Sequence, residues 1–128
     1  MTTGVGEGAG GDLPAYRLRR VTQYIEKNLR QPKLRLAELS ALVHMSPFHF
    51  ARLFKRSTGV PPHVFLVRRR IDEARALLAT QTVPVAVIAR SVGFQTPSHF
   101  TTTFRRFTGM TPTAYRSGGG QTAPQPSP

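Results

Sequence analysis

The side chains best equipped for chemistry in this sequence are cationic, and they come in a repeated arrangement. Arg52, Lys55 and Arg56 share one short segment, and Arg105 with Arg106 stand fifty residues after Lys55 and Arg56. A guanidinium is a planar fork of donors that fits a phosphate or the O6 and N7 edge of guanine, while an ammonium acts as a point charge on phosphate. In the same two segments stand an aromatic side chain and two histidines at one repeat position: Phe48 and His49 in the first, and His99 in the second. Groups of this kind can meet base edges and thymine methyls in a nucleic-acid groove.

Other chemistries are poorly supplied. The six acids are Glu7, Asp12, Glu26, Glu38, Asp72 and Glu73, and only the last two are adjacent. Those two stand beside arginines and are expected to form salt bridges, so no acid–base pair or activated nucleophile emerges and catalysis is not expected. His49 and His99 share a repeat position, but each stands without a cysteine or a nearby carboxylate, so neither a metal nor any other cofactor is expected. With no cysteine there is neither a disulfide framework nor a thiolate zinc site, which suits a reducing compartment. The longest apolar run, Val85 to Ala89, falls far short of the roughly 20 residues that span a bilayer, and Met1 to Gly11 lacks the apolar stretch of a signal peptide. The expected location is cytoplasmic and nucleoid-associated, with no membrane partner.

Charge narrows the partner. Eighteen Lys and Arg against six acids give a net charge of +12 over 128 residues, which calls for a polyanion. No acid lies between Ser46 and Ile71, and none follows Glu73.

The elements that must carry these groups are helical. Leu18, Val21, Ile25 and Leu29 recur at steps of three and four, which predicts an amphipathic helix from Ala15 to Arg30, closed by Pro32. Leu34 to Val43 is a short second helix. Ser46 and Pro47 supply an N-cap and an N1 proline for a third, which turns Phe50, Leu53 and Phe54 inward and ends at Gly59. Pro61-Pro62 opens a longer helix to about Thr80, able to act as a rigid connector. Val85 to Val92, ended by Gly93, forms the fifth, Thr96-Pro97 to Thr108 the sixth, and Thr111-Pro112 starts a last short helix through Tyr115. Residues 1–14 and 117–128, rich in Gly, Pro, Gln and Thr, are expected to be disordered. The fold class is therefore all-α with seven helices.

Self-similarity organises these elements. Ser46 to Gly59 lies over Thr96 to Gly109, and cap, proline, two core phenylalanines, basic pair and terminal glycine all return. Each copy is a short helix, a tight turn and a longer helix with a basic outer face, which is the plan of a helix-turn-helix: one unit at about 34–58, the other at about 84–108, joined by the connector at about 62–80. Gly93 is expected to take a positive φ in its turn, and its counterpart His44 to adopt the same conformation at some cost. Phe50, Phe54, Phe100, Phe104 and Phe107 are expected in the core. Two readers within one chain would let a monomer contact two grooves.

From about Leu18 to Arg116 the chain resembles the DNA-binding domain of AraC/XylS-type transcription regulators. The most specific parts are Ile88-Ala89-Arg90-Ser91-Val92-Gly93-Phe94, His99-Phe100, Phe104-Arg105-Arg106, Gly109-Met110-Thr111-Pro112 and Tyr115-Arg116. The resemblance implies seven helices, with the third and sixth reading bases in adjacent major grooves of double-stranded DNA. It places base-facing positions on Phe48, Ala51 and Arg52, then on Pro97, Ser98, His99, Thr101 and Thr102, and puts Lys55, Arg56, Arg105 and Arg106 against the backbone. It implies a regulator, an activator by preference, with RNA polymerase as a further partner; the alternative is an architectural or recombinase-type binder without a defined operator. Members of the family often carry Arg or Gln where Thr101 and Thr102 stand, and an apolar residue where Arg69 stands, whereas Arg70 matches a frequent family arginine. Larger members add an effector-binding domain, and this chain resembles the small stand-alone members or a fragment.

Overall fold

A computed structural model describes residues 12–119, which hold seven α-helices and no strand. The helices are α1 (Ala15–Lys27), α2 (Leu36–Leu42), α3 (Pro47–Thr58), α4 (Pro62–Thr80), α5 (Val85–Ser91), α6 (Pro97–Thr108) and α7 (Pro112–Ala114), the last continued by a wider turn over Tyr115–Gly119. They belong to two compact units. One comprises residues 12–28 and 34–66; the other comprises residues 29–33 and 67–119. Residues 1–11 and 120–128, where disorder is expected, lie outside the described residues.

In the first unit α1 turns Val21 and Ile25 inward, α2 contributes Leu39, and α3 contributes Phe50, Leu53 and Phe54; all six are buried. The unit begins earlier than its composition suggests. Leu13, expected in a disordered end, is buried, and its N–H donates to the Ser57 hydroxyl at the end of α3 over 2.8 Å. A single apolar side chain between Asp12 and Pro14 gives no periodic signal, so only the fold reveals its seat.

In the second unit Ile71, Ala74 and Leu78 of α4 pack with Ile88, Ala89 and Val92 around α5 and with Phe94, Phe100 and Phe104. The end of this unit also runs further than the sequence suggests, since Ser117 Oγ donates to the Thr113 carbonyl over 3.0 Å before a positive φ at Gly118 breaks the helical path.

The first helix stops three residues short of the expected Arg30. Asn28 closes it, its side-chain amide donating back to the Tyr24 carbonyl over 2.9 Å. Residues 29–33 then leave the helix and take their hydrogen bonds from another source. Arg70, only 7% exposed, donates from Nε to the Leu29 carbonyl over 2.9 Å and from Nη2 to the Gln31 carbonyl. Burial lowers the Arg70 pKa from the ordinary arginine value, and the two carbonyls supply the compensating acceptors that a buried cation needs. Its neighbours on α4 behave as surface charges: Asp72 pairs with Arg69 at 3.3 Å and with Arg75 at 3.7 Å, and Glu73 pairs with Arg30 at 2.9 Å. Asp72 thus pairs with neighbouring arginines as expected, whereas Glu73 pairs with Arg30 outside α4, and Arg69 is partly exposed beside Asp72.

Gly93 completes this arrangement. It has a φ of +98°, and a methyl group added there would stand 2.8 Å from Arg70 Nε and 3.0 Å from the Leu29 carbonyl oxygen. Gly59 also has a positive φ, +90°, yet nothing approaches its missing side chain. Gly59→Ala should therefore cost only backbone strain, about 1–2 kcal/mol, whereas Gly93→Ala should cost at least about 1 kcal/mol more, because it also displaces a buried guanidinium. Urea unfolding of both variants measures the difference, and equal losses would show that the contact with Arg70 contributes nothing.

Candidate nucleic-acid interface

Each basic helix is started, turned and ended by the same local devices. Ser46 Oγ accepts the His49 N–H at 3.2 Å, and Thr96 Oγ1 accepts the His99 N–H at 3.1 Å. Pro47 and Pro97 follow these caps in the first turn, where a missing N–H costs nothing. Gly59 and Gly109 close the helices in the left-handed conformation.

The turn before each helix is also shared. His44 has a φ of 57° and Gly93 one of 98°. The chain reversal is then locked by the Met45 N–H on the Ser40 carbonyl at 3.1 Å in one unit, and by the Phe94 N–H on the Ala89 carbonyl at 3.0 Å in the other. Ser40 and Ala89 are both buried. The turn thus requires a left-handed residue followed by a hydrophobic one, and His44 meets the first requirement without being glycine, as the repeat predicts.

With Phe50, Leu53 and Phe54 buried, α3 presents Phe48, Arg52, Lys55 and Arg56 to solvent. With Phe100, Thr103 and Phe104 buried, α6 presents Pro97, Ser98, His99, Thr102, Arg105 and Arg106. Neither helix carries an acid. Phe48 is 75% exposed, an unusual position for a large aromatic side chain. It is a surface group and not a core one. Ala51 and Thr101 are only half-buried, so these two positions offer less surface than the others. The His99 ring meets the Phe94 ring edge-on at 5.3 Å while staying exposed. Lys55 and Arg56, like Arg105 and Arg106, lie in the last turn, where cations also favour the helix dipole. Phe107, expected in the core, is partly buried against it.

Other supporting residues carry no signal of their own in the sequence. Thr58 Oγ1 lies 2.9 Å from the Phe54 carbonyl and accepts the Val60 N–H at 3.3 Å, and Thr108 makes the same contacts with Phe104 and Met110 at 2.9 and 3.1 Å. These hydroxyls tie the end of each basic helix to the segment that leaves it. Their recurrence at one repeat position is the signal that could have found them.

The comparisons agree with this geometry. Residues 39–118 match the family described as "Helix-turn-helix domain". The chain is 31% identical over 102 residues to the arabinose operon regulatory protein of Escherichia coli, covering 80% of this chain and 35% of that protein. It also resembles the DNA-binding domain of AdpA, a global transcriptional factor solved in complex with a target DNA, at 31% identity and a TM-score of 0.76 over 85% of this chain and 97% of that one. A transcriptional regulator from Chromobacterium violaceum, described by its AraC-type DNA-binding domain, gives 27% identity and a TM-score of 0.76 over 85% of this chain and 96% of that one. The chain belongs to the AraC-type family of helix-turn-helix transcription regulators, and its two units are those of the DNA-binding domain. It spans 33–38% of the length of the first curated relatives it matches. Among the described residues no helix is long and apolar enough to cross a membrane.

Proposed function

We propose that the outer faces of α3 and α6 enter adjacent major grooves of one operator, that a single chain suffices to bind it, and that the protein acts from the cytoplasm as an activator able to meet RNA polymerase. The observation that supports this reading is the same acid-free, outward-turned set of residues on both helices, held in place by the same caps and phenylalanines. In this reading Phe48, Ala51 and Arg52 contact bases from the first helix, and Pro97, Ser98, His99, Thr101 and Thr102 from the second. Lys55, Arg56, Arg105 and Arg106 hold phosphates, because base edges face the N-terminal part of a reading helix and the backbone flanks its far end. No catalytic residue, metal or cofactor enters the scheme.

Selection from random duplexes followed by sizing of the complex tests the whole proposal. A compact motif of about 20–25 base pairs bound by one chain is expected, two helical turns being the reach of two readers. A minimal site that takes two chains, or a selection that returns no motif, would sink it.

Four phosphate-binding cations imply a log–log salt dependence of affinity with a slope of about −4 or steeper. Arg105→Ala should flatten the slope by about one unit and weaken all sequences alike. A loss confined to particular base pairs would move Arg105 from the backbone to a base.

The two readers differ in what they can say. Arg52 can make a bidentate contact to guanine, whereas Thr102, one repeat later, has only a hydroxyl and a methyl. Arg52→Ala should cost about 1–3 kcal/mol on the true site and relax specificity at one or two base pairs. Thr102→Ala should cost well under that. Systematic mutation of each operator half checks the inequality; if the half under α6 tolerates fewer changes, Ser98 or His99 reads bases and the unequal assignment fails.

A further inference from the structure

The first unit contains a cavity of about 280 Å³ bordered by α2, by Ala51 on the flank of α3 and by the start of α4. Leu36 and Leu39 of α2, Ala51 of α3 and Leu66 of α4 give it apolar walls, and Arg35 and His63, both exposed, border it. No acid lines it. The nearest one in sequence, Glu38, is taken up elsewhere: its carboxylate accepts from the Tyr24 hydroxyl at 3.2 Å and from the Arg35 N–H at 3.0 Å. Leu36 remains 39% exposed although it belongs to the apolar wall.

Size and charge together define an occupant. An apolar cavity of roughly 150 Å³ already takes benzene, and pockets for small organic ligands begin near about 300 Å³. The walls select hydrocarbon, and an acid-free border with one permanent cation selects a negative charge at its end.

We propose that this cavity binds a small apolar monocarboxylate, alkyl or monocyclic aromatic, with its hydrocarbon among Leu36, Leu39, Ala51 and Leu66 and its carboxylate toward Arg35 and His63. Ala51 precedes Arg52, so an occupant that presses on Ala51 also acts on the first reading helix. The regulatory consequence rests on the proposed DNA contacts; the binding itself does not.

The test is a methyl NMR titration of the full chain without DNA, using octanoate and benzoate as probes and octanamide and benzamide as neutral controls. The acids should give saturable shifts at Leu36, Leu39 and Ala51, and the amides should bind at least about tenfold more weakly, since they lack the charge that Arg35 attracts. Arg35→Gln, at an exposed position, should keep the melting temperature and weaken both acids by about tenfold. Ala51→Leu, which fills the cavity, should abolish the shifts. Absence of saturable binding by both acids, amides that match the acids, an unaffected Arg35→Gln variant or shifts confined to other parts of the chain would each overturn the proposal. Because no DNA is present, such a failure leaves the DNA interface untouched, and failure of the operator experiments leaves this site untouched.

Discussion

Everything on the outer faces depends on two pairs of buried rings. Phe50 and Phe54 in α3 stand with centroids 5.6 Å apart, Phe100 and Phe104 in α6 with centroids 5.5 Å apart, and all four are wholly buried. Helices of 12 residues are marginal alone in water; burial of each ring, at about 1.5–3 kcal/mol, is what holds them. Because the rings lie four residues apart, they also fix the rotation of the helix about its axis. Arg52, Lys55 and Arg56 in one unit, and Thr102, Arg105 and Arg106 in the other, then have no direction left except outward. A third ring secures each pair: Phe65 meets Phe54 edge-on at 5.3 Å, and Tyr115, fifty residues on, meets Phe104 edge-on at 5.5 Å. The two units thus solve the same packing problem with the same parts.

Much of this was legible because it is local. A cap, a proline after it, apolar residues at steps of three and four and a closing glycine each act within a few residues, and the repeat shows them twice. The seven helices, the buried phenylalanines and the positive φ of His44 follow from such signals. What escaped the sequence depends on distant partners. The burial of Leu13 requires Ser57. The early end of α1 brings in Arg70, whose guanidinium takes the Leu29 and Gln31 carbonyls that the chain releases before Pro32. The family resemblance singled out Arg70 as a frequent arginine, but only the structure gives the reason, and it is architectural. The 75% exposure of Phe48 agrees with an inward stripe already filled by Phe50, Leu53 and Phe54. For the interface, local pattern showed which residues face outward, while which of them touch a base depends on a partner the chain does not contain.

The places where the repeat is broken carry the most information about how the two units differ. Leu53 becomes Thr103 and Leu66 becomes Arg116, yet Thr103 stays buried and Arg116 donates to the Gln81 carbonyl at 3.1 Å, so the second unit accommodates polar groups where the first is apolar. Tyr115 adds a hydroxyl that Phe65 lacks, and Arg75 donates to it at 3.3 Å. The second unit is therefore held by side-chain hydrogen bonds as well as by packing. At these positions the first has hydrocarbon instead.

The substitutions that matter for recognition are of another kind. Phe48 to Ser98 and Arg52 to Thr102 change exposed positions that no core contact constrains, while Ser46 to Thr96 and Lys55 to Arg105 conserve the cap at one end of the helix and the charge near the other. A surface position that bears no packing load can change at a cost within about half a kcal/mol of stability, so each outer face is free to change on its own. The caps and rings do not share that freedom, since altering them would turn or unwind the helix and move every outward side chain at once. Under the proposed reading, duplication of one frame with independent outer faces is a physical route to an asymmetric operator: the caps and rings orient each helix, and its outer face alone would set what it recognises.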